Sequence, residues 1–292
     1  MKSLAGLYTA LLTPFKEDGS INEAALRKLV SMNIEKGVDG FYVCGSTGEA
    51  FLLSLEERKR ILSIVSEETA GRVNIFCHIG AISTDFSIEL GRHAQQVGVD
   101  AVSSIPPFYY KFSVEEILGY YEDIAKDVAL PLIPYNFPGL SGVTLTAGMI
   151  ASLREHSNIV AVKFTSNDLY QMQGMKATDP NLLIFNGFDE IFLAGLSMGA
   201  DGMIGSTLNF MAEKYVAIKK AFEKGDLVSA NKKQSEANEV IRVMLSTKKS
   251  MNAQKYFLEK QNIAGGVSRR PFRPLSPEDK KALDAVFERY LQ

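Results

Sequence analysis

One lysine lies in a segment that is otherwise apolar. Lys163 follows Ile159-Val-Ala-Val162, an apolar run rich in Val and Ile, and Phe164 comes directly after it. Such a run predicts a buried strand of a parallel sheet with the lysine at its C-terminal end. Lysine is rarely fully buried unless it is paired. This segment alone is equally compatible with a lysine that reaches solvent and with a lysine held as a reactive amine.

Polar and aromatic residues follow several other apolar segments in the same way. The candidates are Ser46, Thr47, Tyr110, Tyr135, Thr165, Gly187, Asp189, Glu190 and Ser206. A lysine enclosed by such groups has its pKa lowered by desolvation, and a neutral amine attacks a ketone or aldehyde to form a Schiff base. A tyrosine at a neighbouring strand end can move protons, and the backbone N–H groups of Gly45-Ser46-Thr47 can hold a carboxylate. Covalent carbonyl chemistry is therefore the leading prediction.

The Gly-Ser-Thr tripeptide occurs twice, at 45–47 and at 205–207. A single occurrence would be interpreted as an ordinary loop. Both occurrences directly follow a predicted strand, and in parallel barrels the loops after the strands carry the catalytic groups. The recurrence therefore favours a functional role for both loops.

The elements that must position these residues alternate regularly. Apolar segments predict strands at 7–15, 40–44, 73–78, 101–105, 132–136, 158–164, 182–186 and 202–205. Helical patterns follow each strand, including segments at 114–128, 146–156, 169–177, 190–198 and 212–224. Capping boxes are predicted at Ser20 with Glu23 and at Ser54 with Glu57. Glycines at 37, 98 and 199 each fall between a helix and the next strand, where glycine supplies a left-handed helix stop.

Eight strand and helix pairs predict an α/β fold of the (β/α)8 TIM barrel type over residues 1–225. An open doubly wound sheet usually has a Gly-rich loop after its first strand, and the segment from Thr13 has none. Residues 226–292 contain no strand pattern. They predict a C-terminal helical extension packed on the barrel, with helices to about 247, at 252–261, and after Ser276-Pro277.

Composition limits the classes of function. The 292 residues are 46% hydrophobic and 23% charged with a net charge of -2, which gives no field for nucleic acid or membrane surfaces. No apolar stretch approaches the ~18 residues of a membrane span, and no signal peptide is visible, so we expect a cytoplasmic protein. Cys44 and Cys77 are expected to be reduced core thiols. His78 follows the third predicted strand and is as easily a core histidine as a site residue. No spacing indicates a metal site.

Five motifs together are highly specific: GSTGE at 45–49, YNFPGLSG at 135–142, VKFTS at 162–166, GFDE at 187–190 and IGSTLN at 204–209. Through them nearly the whole chain resembles the class I, pyruvate-dependent aldolases of the dihydrodipicolinate synthase and N-acetylneuraminate lyase family. The resemblance implies that Lys163 forms the Schiff base, that Ser46 and Thr47 hold the pyruvate carboxylate and that Tyr135 relays a proton. It also implies a homotetramer in which Tyr109 or Tyr110 reaches a neighbouring subunit's site. No cofactor is implied.

Specificity within this family depends on a few positions. The lysine-pathway synthases usually carry an arginine where this sequence has Leu140, so a bidentate carboxylate partner is missing. The lyase subgroup holds the polyhydroxyl tail of sialic acid through residues that match Thr165, Gly187, Asp189, Glu190 and Ser206 here. The resemblance therefore implies reversible cleavage of N-acetylneuraminate to pyruvate and N-acetylmannosamine. Two residues near the predicted pocket depart from the family pattern. Cys44 stands where a glycine is frequent, and Asn167 stands where the Lys-x-Thr-Ser segment often continues with glycine.

Two alternatives stay open from the sequence. The same imine chemistry can serve another partner, in a 2-keto-3-deoxy sugar acid aldolase or a dihydrodipicolinate synthase. A barrel that binds keto acids without turnover is the other alternative, although retention of the lysine, the tyrosine and both Gly-Ser-Thr loops argues against it.

Overall fold

Eight parallel strands close into a barrel. The computed structural model describes residues 3–292, except for the side chain of His156. The strands are β1 Gly6–Ala10, β2 Gly40–Val43, β3 Asn74–His78, β4 Ala101–Ser104, β5 Leu132–Asn136, β6 Ala161–Phe164, β7 Leu183–Asn186 and β8 Gly202–Gly205. They pair in sequence order, and β1 closes the barrel against β8. The predicted (β/α)8 barrel is confirmed.

The first strand is shorter than the segment predicted at 7–15. The N–H of Leu11 still donates to the carbonyl of Tyr42 on β2 at 3.0 Å, and the chain then leaves the ladder, because the N–H of Leu12 donates to the side chain of Asn209 at 3.0 Å. The hydroxyl of Thr13 then donates to the carbonyl of Gly48 at 2.8 Å. The apolar residues of this segment thus pack above β1 rather than within it, and the predicted C-terminal boundary was wrong.

Helices cover the outside of the barrel and its carboxyl end. They are α1 Glu23–Glu35, α2 Leu55–Thr69, α3 Thr84–Val97, α4 Val114–Asp127, α5 Pro138–Ser141, α6 Ala147–His156, α7 Leu169–Thr178, α8 Phe192–Ser197, α9 Leu208–Glu223, α10 Leu227–Ser246, α11 Ser250–Lys260 and α12 Pro277–Tyr290. The predicted helix at 190–198 is instead a 3-10 turn, Asp189–Ile191, followed by α8. The helix predicted at 212–224 begins earlier, at Leu208, with a non-helical residue at Met211.

The helix ends follow local chemistry. Ser54 and Glu57 form the predicted capping box of α2. The capping box predicted for Ser20 was wrong, because α1 is capped by the Asn22 side chain while the Ser20 hydroxyl donates to Asp18. The glycines at 37, 98 and 199 all have φ between 81° and 93°, so the predicted left-handed stops are confirmed.

Side chains fill the barrel interior, so it is a packed core and not a pore. The rings of Tyr8 and Phe76 stack there with centroids 4.0 Å apart, and Phe185 packs edge-on against both. A second and larger core lies between the strands and the surrounding helices. The three rings close the interior of the barrel to solvent, so a ligand can approach the strands from their carboxyl ends but cannot pass through the barrel.

The C-terminal residues form three helices, as predicted. They share the core of the barrel helices: Phe257 of α11 packs against Phe210 of α9 with ring centroids 4.8 Å apart, and against Phe287 of α12. A capping box at Ser276 opens α12 with Pro277 in its first turn. The division between a barrel at 1–225 and an extension at 226–292 stays a prediction. None of the helices in residues 3–292 combines the length and the apolar composition needed to cross a bilayer.

Candidate active site

A cavity of about 480 Å³ opens at the carboxyl ends of the strands. All of the predicted site residues except Tyr110 line it: Ser46, Thr47, Tyr135, Lys163, Thr165, Gly187, Asp189, Glu190 and Ser206. This convergence follows from the topology, because the carboxyl ends of parallel strands meet at one end of a barrel. Residues that lie far apart in the sequence therefore share one pocket.

Lys163 lies at the bottom of the cavity and is only 4% exposed. Its Nζ is 4.0 Å from the ring centroids of both Tyr42 and Tyr135. No carboxylate within residues 3–292 forms an ion pair with it, so burial dominates and lowers the pKa of the amine to about 7, while the charge of Asp189 acts in the opposite direction. The lysine is thus buried and partly neutral near neutral pH, which favours the reactive amine over a lysine that reaches solvent.

Tyr135 is held beside this amine by the sheet register. It pairs with Lys163 directly across β5 and β6. Burial raises the pKa of the phenol, and hydrogen bonding from the hydroxyls of Thr165 and Ser46 offsets part of that rise. The Thr165 hydroxyl lies near the phenol, but within the described residues it makes no hydrogen bond of good geometry. A ligand can therefore replace its contact with the phenol. The phenol keeps its proton at neutral pH and lies among groups that can exchange protons.

The loop after β2 is a tight 3-10 turn, Ser46–Gly48. The carbonyl of Gly45 accepts the N–H groups of Gly48 and Ala50 at 3.0 and 3.3 Å. A Cβ on Gly45 would lie 2.5 Å from the ring of Tyr42, so the turn requires glycine there. The first N–H groups of such a turn have no acceptor within it, which leaves those of Ser46 and Thr47 suited to an anion.

Cys44 adopts a left-handed conformation with φ of 57° directly before this loop. A residue with a Cβ is strained in this region, which accounts for the frequency of glycine at this position in the family pattern. The thiol is free and buried, as is that of Cys77, in agreement with the predicted core thiols. The other departure, Asn167, is exposed and does not line the cavity.

Asp189 is fixed on the wall formed by the loops after β7 and β8. Its Oδ2 accepts the N–H and the hydroxyl of Thr207, both at 2.7 Å, and lies 3.4 Å from the Ser206 hydroxyl. The Thr207 hydroxyl is in turn 2.8 Å from the Tyr215 hydroxyl. Burial raises the pKa of Asp189 to about 6, with the hydrogen bonds from Thr207 acting in the opposite direction.

Gly187 is required by a close approach. A Cβ at this position would lie 1.8 Å from Thr165 Oγ1, so any side chain would displace that hydroxyl. Leu140, on the short helix α5, is 63% exposed at the rim of the same cavity. The rim therefore carries an isobutyl group where a guanidinium would be needed to bind a second carboxylate.

Several residues that line or adjoin the cavity were not predicted from the sequence. Part of the wall comes from α10, α11 and the segment between α11 and α12: Ile241, Met244, Leu245, Ser250, Met251, Gln254 and Phe272. Tyr42, which contacts Lys163 without lining the cavity, was also missed, although its position in the strand before the first Gly-Ser-Thr loop was a usable signal. His78, for which the sequence left a core position and a site position open, lies in the core: its ring bonds the carbonyl of Cys44 at 3.0 Å and accepts the N–H of Ile105 at 3.3 Å.

Tyr110 lies outside the cavity. It is 69% exposed, and its ring packs edge-on against the neighbouring rings of Tyr109 and Phe112. Tyr109 is even more exposed and has a left-handed φ of 80°. Within one chain neither tyrosine meets Lys163. Elsewhere in the described residues, no group of three His, Cys, Asp or Glu side chains is placed to hold a metal ion.

Comparison with known proteins identifies the family. The sequence model of the dihydrodipicolinate synthetase family matches residues 3–290. The chain belongs to this family. An N-acetylneuraminate lyase of Shigella boydii serotype 4 is 42% identical over 291 residues, which is 99% of this chain and 98% of that protein.

Solved structures of related proteins share the same fold. The structure of CdNal from Clostridium difficile in complex with mannosamine superposes with a TM-score of 0.96 at 36% identity, covering 99% of this chain and 100% of that one. N-acetylneuraminate lyase from Fusobacterium nucleatum complexed with pyruvate has a TM-score of 0.94 at 34% identity, covering 99% and 98%. Within the dihydrodipicolinate synthetase family, the chain thus resembles proteins named as N-acetylneuraminate lyases along its whole length.

Proposed function

We propose that this protein is a class I aldolase, a carbon–carbon lyase that reversibly cleaves N-acetylneuraminate to pyruvate and N-acetylmannosamine. The observation that carries the proposal is Lys163: a buried amine with a pKa of about 7, in one cavity with Tyr135 and the Ser46-Thr47 turn. A neutral amine is the nucleophile that Schiff-base chemistry requires. The 42% identical lyase from Shigella boydii supports the choice of reaction.

The chemistry begins with attack of the Lys163 amine on the keto carbon. The keto oxygen then leaves as water with the proton of the Tyr135 phenol, which forms an iminium ion beside a phenolate. The iminium accepts the electron pair of the bond between C3 and C4, so that this bond breaks and an enamine of pyruvate remains on the lysine. The Tyr135 phenolate takes the proton of the C4 hydroxyl, and C4 becomes the aldehyde carbon. Because burial favours the protonated phenol, Tyr135 gives up a proton in the first step and regains one here, so it relays protons and is not a permanent base. Protonation at C3 and hydrolysis then release pyruvate.

Binding is divided between two walls of the cavity. We assign the keto-acid carboxylate to Ser46 and Thr47, whose N–H groups and hydroxyls can donate to it. We assign the polyhydroxyl tail to the opposite wall, where Asp189 and Glu190 offer carboxylates and Thr165 and Ser206 offer hydroxyls. Leu140 lacks the charge that a dicarboxylate product would need, which argues against the lysine-pathway condensation.

The test is pyruvate release, measured with a coupled assay on N-acetylneuraminate beside a panel of 2-keto-3-deoxy sugar acids. We expect N-acetylneuraminate to give the highest kcat/KM, and Lys163→Ala to abolish release from every substrate. Preference for another keto acid would replace the substrate but keep the imine chemistry. Tight binding without release from any of them would favour the non-catalytic keto-acid-binding barrel.

We also infer that the active form is a cytoplasmic homotetramer. The exposure of Tyr109 and Tyr110 outside the cavity supports it, since two large aromatic rings in water suit a contact with another subunit. Light scattering on the purified protein gives the mass directly. A monomer with full activity would contradict both the assembly and a catalytic role for Tyr110.

A further inference from the structure

A buried ion pair lies beside the cavity and takes no part in the chemistry above. Glu49 ends the turn that carries Ser46 and Thr47, and its Oε1 lies 2.7 Å from the Nζ of Lys255 on α11. The Lys255 side chain is 1% exposed and that of Glu49 is 0% exposed. The ammonium also lies 4.3 Å from the ring centroid of Phe15. The pair joins the loop after β2 to a C-terminal helix.

The second oxygen of Glu49 is used as well. Its Oε2 accepts the N–H of Arg269 at 2.8 Å. The Arg269 guanidinium donates to the carbonyls of Leu52 and Gly19, both at 2.9 Å, and pairs with Glu57. One carboxylate thus ties the loop to α11 on one side and to the segment after α11 on the other.

Stability alone does not account for this arrangement. Glu49 has a left-handed φ of 59°, which glycine adopts at less cost than a residue with a Cβ. A buried ion pair is also often no more stabilising than apolar side chains of the same size, because both charges lose their hydration. What the pair does provide is a fixed geometry between the loop after β2 and α11.

Both segments carry residues that line the cavity. Ser46 and Thr47 lie three and two residues before Glu49, and Gln254, which lines the cavity, directly precedes Lys255. We propose that Glu49 and Lys255 are positioning residues, which set the turn at the distance from the Lys163 amine at which a bound 2-keto acid presents its carbonyl carbon. This inference rests on the proposed function, because it needs a carboxylate held by Ser46 and Thr47.

The experiment is borohydride trapping of the imine on the full-length protein, as a function of pyruvate and, separately, of acetone. Acetone forms the same imine but has no carboxylate for the turn to hold. In Glu49→Gln/Lys255→Met no lone charge is left buried. We expect its half-saturating pyruvate concentration to rise about ten- to hundred-fold, the scale of a misplacement near 1 Å. We expect half-saturation with acetone to be unchanged.

Two controls separate positioning from folding. Lys176→Met breaks the 2.8 Å pair with Asp201, which precedes β8 at the amino end of the barrel, and should leave half-saturation with pyruvate unchanged. Lys255→Arg keeps a cation beside Glu49 and should give a smaller shift than the double variant. It also keeps the test available if the double variant does not fold.

Three results would overturn the inference. One is wild-type half-saturation with pyruvate in a folded double variant or, if that variant does not fold, in Lys255→Arg. Another is an equal shift for pyruvate and acetone, which would show a general effect on Lys163. Failure of the unaltered protein to trap pyruvate at Lys163 would overturn the proposed function and the positioning role with it, and the wild-type arm alone reveals that case.

Discussion

Replacing Lys163 with methionine should remove the proposed chemistry and stabilise the fold at the same time. The pKa of the buried amine is about 7, compared with 10.5 for an ordinary lysine. Since a tenfold change in a protonation equilibrium corresponds to about 1.4 kcal/mol, burial disfavours the ammonium by about 5 kcal/mol. Methionine has a similar length and no charge, so it fits the site between the two tyrosine rings without this cost.

The sign of the effect depends on pH. Below pH 7 the lysine is charged in both folded and unfolded chains, so the folded protein bears the full cost. Between about pH 7 and 10.4 the unfolded chain holds a proton that the folded chain has lost, so the stability of the wild type rises with pH. We expect Lys163→Met to raise the free energy of unfolding by about 2 to 4 kcal/mol at pH 6, and by less than about 1 kcal/mol at pH 10.

The assay is denaturant unfolding of the wild type and the variant at pH 6, 8 and 10, at fixed protein concentration. Lys255→Met is the matched control, because Lys255 is equally buried but paired with Glu49. That variant leaves a lone buried carboxylate and should lose about 3 to 5 kcal/mol. A Lys163→Met protein no more stable than the wild type at pH 6, or a gain that does not change with pH, would refute the reasoning.

Three further changes test the site. Tyr135→Phe should lower kcat about 10²- to 10⁴-fold while borohydride still traps pyruvate, because the phenol moves protons and does not form the imine. For the wild type, KM for N-acetylneuraminate should rise as pH falls below about 7, where Lys163 takes up a proton, and more steeply below about 6, where the Asp189 carboxylate does so; in Asp189→Asn only the part due to Lys163 should remain. Gly187→Ala places a methyl group 1.8 Å from Thr165 Oγ1 and should cost about 1 to 3 kcal/mol in thermal unfolding, whereas Gly174→Ala on α7, which meets open space, should not.

Each of these has a contrary result. Wild-type turnover in Tyr135→Phe would remove the proton relay from the mechanism. A KM that rises below pH 6 as steeply in Asp189→Asn as in the wild type would assign the lower titration to another group. Equal melting temperatures for the two glycine variants would mean that the Thr165 hydroxyl has room to move.

The barrel could be predicted because buried parallel strands are continuous apolar runs, and eight of them appear with helices between. The errors lie at the ends of elements, where tertiary contacts determine the boundary. The end of β1 is set by Asn209, which bonds the N–H of Leu12 from far along the chain. The start of α1 is set by an antiparallel bridge between Phe15 and Ile21, which moves the cap from Ser20 to Asn22. Neither contact leaves a local trace in the sequence.

The residues of the candidate site also fall into those that could be predicted from the sequence and those that could not. Ser46, Tyr135 and Lys163 could be predicted to meet, since strand ends share one end of a barrel. Met244 and Met251 could not, because helical periodicity indicates an apolar face without indicating what it faces. Tyr110 differs from both groups. It is exposed in the single chain, and the role implied by the resemblance requires a second subunit.

The most direct test of the central claim is a peptide map of the protein after treatment with pyruvate and borohydride. The account predicts one reduced pyruvyl group per chain, on Lys163, with none on the equally buried Lys255 and none in Lys163→Met. Lys163 recovered unmodified, or incorporation at another lysine that persists in Lys163→Met, would contradict it.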